Sequence, residues 1–573
     1  MFLWFRQNPH RFAVEYTAIS NLKEGSEWLK GVSWKADEHT LAVEAVIAAH
    51  DYDYPIRMTY PVFFPETPPI VRPQDPDARW TSHAYKNGVL CLEWGPDTWH
   101  SGLTGADMLE SAYQLLLYEN PLGSEQPIVA PSRHYLTAGQ QLRNKLGRLY
   151  ISDTLLSWLR SRPVGMTGTI QFSSQLQDAF TVFVYAVQVA AESREDTTIP
   201  SAVKSSGKQG TFFVANLETS LVEILTTVEQ LREVLAVSGI VWPLEDGEEA
   251  DNYILLVDAA GTPHLFIVLN DGKLFKTVRV EWNFQEENGR LPGEVEALAG
   301  KRVGIVGMGS AGSRIALSLA RTHVSSFLLV DHDVFLPENI CRHILDWRDV
   351  GQHKADAVKT RLSYLYPDVA VDVSHIHLTG QESNAVLNRV LGDLAKCDLL
   401  IDATASSSVF YLLAAIAKHE HIPLVWMEVY AGGIGGMVAR CRPGQDPPAR
   451  TMRNAYESLL VELPLLDYPV VADYATEGDD NEIVVATDAD VAVIAAHATQ
   501  LALDALVNRM PSRFPHSMYL IGMSNSDFFQ QPFDVRPVST DDLPSTEAYE
   551  GPDIFVTADA MAFVDDLLER VDV

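Results

Sequence analysis

The chain has 573 residues, which is too long for one hydrophobic core and favours three domains. Its 76 acidic and 43 basic residues give a formal net charge of -33. This charge repels nucleic-acid phosphates and anionic lipid, so we expect a protein partner, with no nucleic acid and no membrane.

The cysteines and the first residues of the chain further restrict the class of protein. The four cysteines, at 91, 341, 397 and 441, include no C-x-x-C pair, which argues against a disulfide scaffold and against structural zinc. The opening MFLWFRQNPHRF lacks the features of a signal peptide, and no run approaches the roughly 20 apolar residues that span a bilayer. We therefore expect a cytoplasmic protein.

Residues 1–148 are predicted to form an α+β domain that carries a candidate nucleophile. Alternating apolar residues over 39–50 and 54–64 indicate antiparallel strands, and the helical period over 106–120 indicates a helix packed on them. Between them lies Cys91. In an exposed loop a thiol of pKa about 8.5 is already partly thiolate at neutral pH, enough for thioester exchange. The alternative is a buried, inert thiol.

The segments YPIRMTYPVFFPETPPIVRP (54–73) and TSHAYKNGVLCLEWGPDTWHSGLT (81–104) resemble ubiquitin-conjugating enzymes. That family carries N-G-x-I-C-L with a tryptophan eight residues after the cysteine, and this chain has the same register with Trp99. The resemblance covers about residues 40–125 and implies that Cys91 forms a thioester.

Two departures from that family bear on mechanism. His83 stands where most members place the asparagine that stabilises the oxyanion, and an imidazole N–H can still donate there. Gly123 stands where many members have an Asp that helps to deprotonate the attacking lysine. Glu119 and Glu125 are either substitutes for that Asp or solvated surface charges, and the acceptor amine need not be an ordinary lysine.

Residues 149–292 are predicted to form a mixed α/β linker domain, to which we assign no activity. Over 253–283 the sequence predicts strands separated by AAGT and NDG turns.

From residue 293 to 540 the pattern changes to strand, glycine turn, helix and strand, which predicts a Rossmann-like α/β domain with a parallel sheet. Gly307, Gly309 and Gly312 open the helix, where free N–H groups favour a phosphate. Asp331 ends the next strand, the position at which a carboxylate binds ribose hydroxyls. This pattern alone favours a NAD-type dehydrogenase and an ATP-dependent enzyme equally.

The segments VDHDVFLPENICRHI (330–344), VGQHKADAVKTRL (350–362) and CDLLIDATASS (397–407) resemble the ThiF/MoeB and ubiquitin-activating family, in the same order and spacing. The resemblance implies adenylation of a carboxylate with ATP and Mg²⁺. It gives the nucleotide-binding residues as the three glycines together with Asp331, Asp333, Asn339, Arg342, Lys354 and Asp402. The resemblance also implies that Asn339, Arg342 and Lys354 contact the phosphates, with Arg342 in a catalytic role. Fixed cations and amides suit the negative charge that develops at the α-phosphate.

The metal assignment departs from that family. Members continue the last strand as D-x-T-D-N, with the second Asp near Mg²⁺, whereas this chain reads Asp402-Ala-Thr-Ala405-Ser. Metal binding then falls to Asp402 or to Asp333, or is weak. The alternative for Asp402 is a residue at a strand end that caps a helix.

The activating-domain nucleophile is also missing. The segment from 473 to 506 resembles the region where relatives carry a Y-C-G loop before a helix, which Thr487 begins here, and Ala475 takes the cysteine's place. Three explanations are open: a deliberate Cys→Ala change, direct transfer of the adenylate to Cys91, or an oxyester on Thr476. The alternative is a connecting loop that is misaligned.

The whole chain resembles bacterial fusions of activating and conjugating enzymes from ubiquitination-like operons, including those of CBASS antiphage defence. The expected function is ATP-dependent adenylation of the C-terminal carboxylate of a ubiquitin-like protein or CBASS nucleotidyltransferase. Transfer through the Cys91 thioester to a target amine follows. We expect a homodimer through the adenylation domain and an acidic tail over 541–573. The alternatives are a non-catalytic scaffold, or a sulfur-carrier-protein adenylyltransferase, which leaves the N-terminal domain unexplained.

Overall fold

The computed structural model describes residues 3–36, 40–78, 80–81, 83–85, 87–123, 142, 145–204, 207–240, 252–280, 297–379, 383–462, 470–472, 475–477, 483–525, 529–544 and 557–571. The chain divides into two compact units, Met1–Gln141 and Leu142–Val573. Each unit is described by itself.

The first unit is a four-stranded antiparallel sheet with helices packed on it, and it confirms the predicted strands and helix. The sheet order is β1-β2-β3-β4. Its core includes Met58 and Tyr60 of the sheet and Leu109 and Leu116 of the last helix. The elements are α1 (Trp4–Gln7), α2 (Pro9–Gly25), β1 (Leu29–Ala36), β2 (Leu41–Ala49), β3 (Tyr52–Tyr60), β4 (Ile70–Pro73) and α3 (Gly105–Glu119).

Helix α3 begins and ends at residues suited to those positions. Thr104 caps it, and the Asp107 carboxylate accepts the Thr104 N–H at 2.7 Å in a capping box. It ends at Asn120, which has a left-handed φ of 43°. These caps place Glu119 at the last turn of the helix.

The second unit begins with a nine-stranded mixed sheet, which confirms the strands predicted over 253–276. Its order is β12-β11-β10-β9-β6-β7-β5-β13, with β8 paired to β7. The strands are β5 (Gly147–Ile151), β6 (Thr167–Leu176), β7 (Phe180–Val189), β8 (Glu192–Glu195), β9 (Lys208–Val214), β10 (Tyr253–Val257), β11 (Pro263–Val268), β12 (Leu274–Lys276) and β13 (Val278–Arg279). The helices are α4 (Asp153–Arg160), α5 (Ser201–Lys204), α6 (Thr219–Ile224) and α7 (Val228–Val237).

The rest of the second unit is an α/β domain, as the sequence predicts. Its strands are β14 (Arg302–Val306), β15 (Ser326–Val330), β16 (Ala370–Ser374), β17 (Leu399–Asp402), β18 (Leu424–Val429), β19 (Gly435–Cys441), β20 (Val470–Ala472), β21 (Ala475–Glu477), β22 (Ile483–Val485), β23 (Met518–Gly522) and β24 (Val535–Pro537). The helices are α8 (Ser310–Arg321), α9 (Lys354–Leu362), α10 (Asn384–Leu394), α11 (Ser407–Glu420), α12 (Ala449–Glu462), α13 (Asp488–Val507) and α14 (Ala558–Val571).

The order of the main sheet creates a switch point. It runs β16-β15-β14-β17-β18-β19-β23-β24, parallel from β16 to β18 and antiparallel beyond. From β14 the chain goes first to β15 on one side and later to β17 on the other. Ligands of such sheets bind outside the carboxyl ends of the strands at this reversal. The turn after β14 therefore marks the expected site.

Alternating strand residues bury the two faces of this sheet under different helices. Ile401 lies in the core with α8, α9 and α13, whereas its neighbour Leu400 lies in the core with α10, α11 and α12. This alternation in parallel strands covered on both faces explains their continuous apolar runs.

Two helices bear on the membrane and tail predictions. By length and composition alone, α13 could cross a membrane, but over half of it is buried, and it packs on α8, β18 and β19. A core helix passes the same test, so one such helix is weak evidence for a span. Within the predicted acidic tail, α14 is a helix whose Phe563 and Leu568 are exposed.

Candidate functional site

A cavity of about 310 Å³ lies at the switch point. It is lined by the turn after β14, the ends of β15 and β16, the segment before α9 and the turn after β17. The structure brings together here most of the nucleotide-binding residues expected from sequence: Gly307, Gly309, Asp331, Asp333, Asn339, Arg342 and Lys354.

The three glycines of the turn differ in backbone conformation and in the space around them. Gly307 has a left-handed φ of +91°, and an added Cβ would lie 2.9 Å from the Ala403 carbonyl oxygen. Gly312 does not line the cavity, because it packs inside α8, where a Cβ would lie 1.9 Å from the Gly307 oxygen. Gly309 precedes α8 and has open space around it. The start of α8 is thus accessible to an anion.

The backbone of the turn is held from both sides at Met308. The Asp331 carboxylate accepts the Met308 N–H at 2.5 Å, and its other oxygen accepts the Asp333 N–H at 2.7 Å. His343 Nε2 donates to the Met308 carbonyl at 2.8 Å, while its Nδ1 accepts the Leu345 N–H. Burial lowers the pKa of His343 to about 4, so the ring is neutral at pH 7.

Sequence reasoning missed His343, although it directly follows Arg342 in the N-x-x-R segment. No local pattern separates it from a surface histidine. Its burial and its bond to a turn 35 residues earlier are properties of the folded chain.

The cations of the cavity are fixed by α9 and the segment before it. Lys354 begins α9, its Nζ pairs with Asp333 at 2.8 Å, and its N–H donates to the Asp333 carbonyl. Burial alone would raise the pKa of Asp333, but the hydrogen bond and charge of Lys354 lower it below its ordinary value. Asn339 accepts the Leu336 N–H and holds the short helical turn that leads to Arg342. Arg342 and Lys354 therefore line the same cavity.

Asp402 does not line the cavity among the residues that the structure describes. It is buried, and its Oδ1 accepts the N–H and the hydroxyl of Thr404 at 2.9 and 2.7 Å. Burial raises the pKa of this carboxyl despite both bonds. These bonds close a turn at the strand end, whereas α11 begins at Ser407 with Ser406 as its N-cap, so Asp402 does not cap that helix. Its role in metal binding stays a prediction. Ala405, where the family has its second Asp, has a left-handed φ of 55°.

Oxygen donors for a metal ion occur elsewhere in the cavity. Asp331, His332 and Asp333 place one ligand atom each within 4.8 Å of one another. Magnesium prefers carboxylate oxygens, so Asp331 and Asp333 have the chemistry that the ion requires. Of the two alternatives left open by sequence, the geometry therefore favours Asp333.

Cys91 lies in the loop between β4 and α3 of the first unit. Its N–H donates to the His83 carbonyl at 2.8 Å. The thiol is half-buried rather than exposed as in the loop considered from sequence, and burial raises its pKa. A hydrogen bond with the Tyr85 hydroxyl partly offsets that rise. Tyr85, which sequence reasoning missed, therefore contacts the candidate nucleophile.

Ala475 begins β21, the middle strand of a small antiparallel sheet. Its backbone pairs with Ala472 and Val485, and β21 contacts the turn Ala431–Gly433 that follows β18. Position 475 is thus near a carboxyl end of the main sheet. Residues 473–474 and 478–482 of this loop lie outside the described residues, as does Glu125.

Comparison with known proteins gives partial matches. A model of the ThiF family matches residues 283–532. Protein y4qC of Sinorhizobium fredii is 33% identical over 178 residues, 30% of this chain and 29% of that protein. The "ATP-dependent ubiquitin transferase-like protein Cap2" of Pseudomonas aeruginosa is 32% identical over 152 residues, 25% of this chain and 24% of that protein.

The crystal structure of PaaA covers 42% of this chain and 74% of its own, at 20% identity and a TM-score of 0.33. The match to y4qC and the match to Cap2 each span less than a third of the relative's length. The family match covers the part of the chain that carries the glycine turn and the cavity. The C-terminal region of this chain is therefore similar to the ThiF family over residues 283–532.

Proposed function

We propose that the chain adenylates the C-terminal carboxylate of a ubiquitin-like protein or a similar partner and passes it through a Cys91 thioester to a target amine. The observation that carries the first half is the convergence of Arg342 and Lys354 with the start of α8 on one cavity. A relative named as an ATP-dependent ubiquitin transferase-like protein supports the same reading.

The adenylation step follows from the charges of the cavity. A carboxylate oxygen of the partner attacks the α-phosphorus of ATP, and pyrophosphate leaves. Arg342, Lys354 and the free N–H groups of α8 meet the negative charge that develops. Asp331 binds the ribose hydroxyls, and Asp333 would hold a magnesium ion, which would neutralise part of the phosphate charge.

The transfer step uses the first unit. The Cys91 thiolate attacks the acyl carbon of the adenylate, AMP leaves, and an amine later displaces the sulfur. The four-stranded sheet, the loop that carries Cys91 and α3 support the resemblance to a conjugating enzyme. The same resemblance gives the proposed partner, which is a ubiquitin-like protein or the C-terminus of a CBASS nucleotidyltransferase. We also propose that this chain forms a homodimer.

Pyrophosphate exchange into ATP tests the first half. Exchange should require a partner with a free C-terminal carboxylate and should stop when that carboxylate is amidated. The scaffold alternative, which Ala405, Gly123 and the histidine at position 83 favour, predicts no exchange with any partner.

Installing the missing cysteine tests the relay. With ATP and the partner that supports exchange, Ala475→Cys is expected to form thioesters at positions 475 and 91, because β21 contacts the turn after β18, at the carboxyl edge of the sheet that carries the cavity. Non-reducing gels and peptide mass spectrometry distinguish the two positions. A thioester at 91 alone would rule out the two-step relay and leave direct transfer.

Removing the Tyr85 hydroxyl is expected to make Cys91 less reactive near neutral pH. Because burial already raises the pKa of this thiol and the Tyr85 hydrogen bond lowers it, Tyr85→Phe should raise the pKa further. The alkylation rate of Cys91 by iodoacetamide, followed by mass spectrometry, should rise about tenfold per pH unit below the pKa. The variant's curve should lie at higher pH and meet the wild-type curve when both thiols are ionised.

Tyr118→Phe, at an exposed tyrosine on α3, is the matched control and should leave the titration curve in place. Coincident curves for Tyr85→Phe and the wild type would show that the hydroxyl does not tune the thiol.

A further inference from the structure

Glu119 is a buried acid behind the loop that carries Cys91. It is the last residue of α3 and only 3% exposed, so it is not the solvated surface charge considered from sequence. A buried carboxylate is costly unless polar or charged groups compensate it. Its neighbours therefore indicate what it does.

Those neighbours form a continuous path from α3 to Cys91. The Thr81 hydroxyl donates to the Glu119 carboxylate in a short hydrogen bond. The same Thr81 oxygen accepts the His83 N–H at 2.8 Å, and the His83 carbonyl accepts the Cys91 N–H at 2.8 Å. The carboxylate thus fixes the backbone that carries both His83 and the nucleophile.

The carboxylate also faces the His83 ring. The ring is 7% exposed, and its Nε2 lies 4.0 Å from Oε1 of Glu119, within ion-pair range but too far for a direct hydrogen bond. A carboxylate beside Nε2 favours the proton on that nitrogen, so Nδ1 donates to an oxyanion only when the ring carries protons on both nitrogens. Glu119 compensates any positive charge that the buried ring acquires.

We infer that Glu119 is a positioning residue that holds His83 for release of the acyl group from Cys91, an inference that rests on the proposed function. The buried carboxylate accepts from Thr81 and faces His83, so it acts through these groups and not as the base for the incoming amine.

The step it serves balances as follows. The amine nitrogen attacks the thioester carbonyl carbon, and the oxygen becomes an oxyanion that the His83 N–H stabilises. The carbon–sulfur bond then breaks, the Cys91 thiolate leaves, and the nitrogen gives one proton to water as the amide forms. His83 acts on the oxyanion, and an oxyanion also forms when the thiol is acylated, so loading must be complete before discharge is timed.

A synthetic thioester isolates this step from adenylation. The full chain is acylated with the 2-mercaptoethanesulfonate thioester of acetyl-glycyl-glycine, desalted and mixed with free lysine, and intact mass follows the loss of the acyl group. Cys91→Ala reports acylation of the other thiols. For Glu119→Gln, which keeps the size and an acceptor oxygen for Thr81, we expect loading to reach the wild-type extent, if more slowly, and a maximal discharge rate lowered at least about tenfold. The half-saturating lysine concentration should not change.

The variants Glu110→Gln and His83→Ala complete the experiment. Glu110 is exposed on the same helix, and its substitution should leave discharge at the wild-type rate. His83→Ala should slow discharge about as much as Glu119→Gln, and the double variant should be no slower than His83→Ala, since one group acts through the other. The positioning role would be overturned if the fold-losses of the two single variants multiplied in the double variant. It would also be overturned if Glu119→Gln discharged within about twofold of the wild-type rate. A wild-type chain that forms no thioester at Cys91 would instead overturn the carrier role itself.

Discussion

Replacing Cys91 with alanine is expected to abolish conjugate formation while ATP–pyrophosphate exchange continues. The sulfur is the only atom that the proposed transfer uses to carry the acyl group, whereas exchange depends on the cavity of the second unit. Conjugates are followed on reducing gels and exchange with labelled pyrophosphate, both with the same partner.

Cys341→Ser is the comparison for a second thiol, because Cys341 is exposed. It should leave conjugation intact. Conjugates that persist in Cys91→Ala would remove this residue from the mechanism, and loss of exchange in that variant would show that the two activities are not separable.

Removing either cation of the cavity is expected to lower exchange at least about tenfold, on the order of 1.4 kcal/mol of transition-state stabilisation. Arg342→Ala removes a fixed positive charge, and Lys354→Ala removes another together with the partner of Asp333. Initial exchange rates at saturating ATP measure the effect. Lys359→Ala, at an exposed lysine on the same helix, should exchange normally.

Rates for Arg342→Ala and Lys354→Ala equal to that of Lys359→Ala would place the nucleotide elsewhere. Equal loss in all three variants would indicate a general effect of charge on a chain that is already strongly acidic.

The cavity at the switch point could be predicted from sequence because its residues follow successive parallel strands. Gly307 follows β14, Asp331 follows β15, and Lys354 begins the helix before β16. The carboxyl ends of such strands meet at one edge, so order and spacing alone bring these residues together. The same logic placed Asp402 at that edge but could not give the direction of its side chain.

The loop around Cys91 shows what sequence could not give. Whether Glu119 is solvated depends on how α3 rotates and packs on the sheet, and its partner Thr81 lies 38 residues away. The half-burial of the thiol likewise comes from contacts between distant segments. Periodicity predicted that α3 exists and which of its faces is apolar, but not which acid faces the loop.

The hydrogen bonds of Asp331 and His343 to the Met308 backbone bear on how the proposed adenylation and transfer steps respond to pH. His343 keeps its proton on Nε2 and stays uncharged throughout the range well above its pKa of about 4, so its hydrogen bond to the glycine turn is not changed by protonation of the ring between pH 6 and 8. The thiol of Cys91 behaves in the opposite way, since its raised pKa makes the reactive form scarcer as pH falls. At lower pH the proposed adenylate would then accumulate, because its transfer to Cys91 would slow while its formation would not.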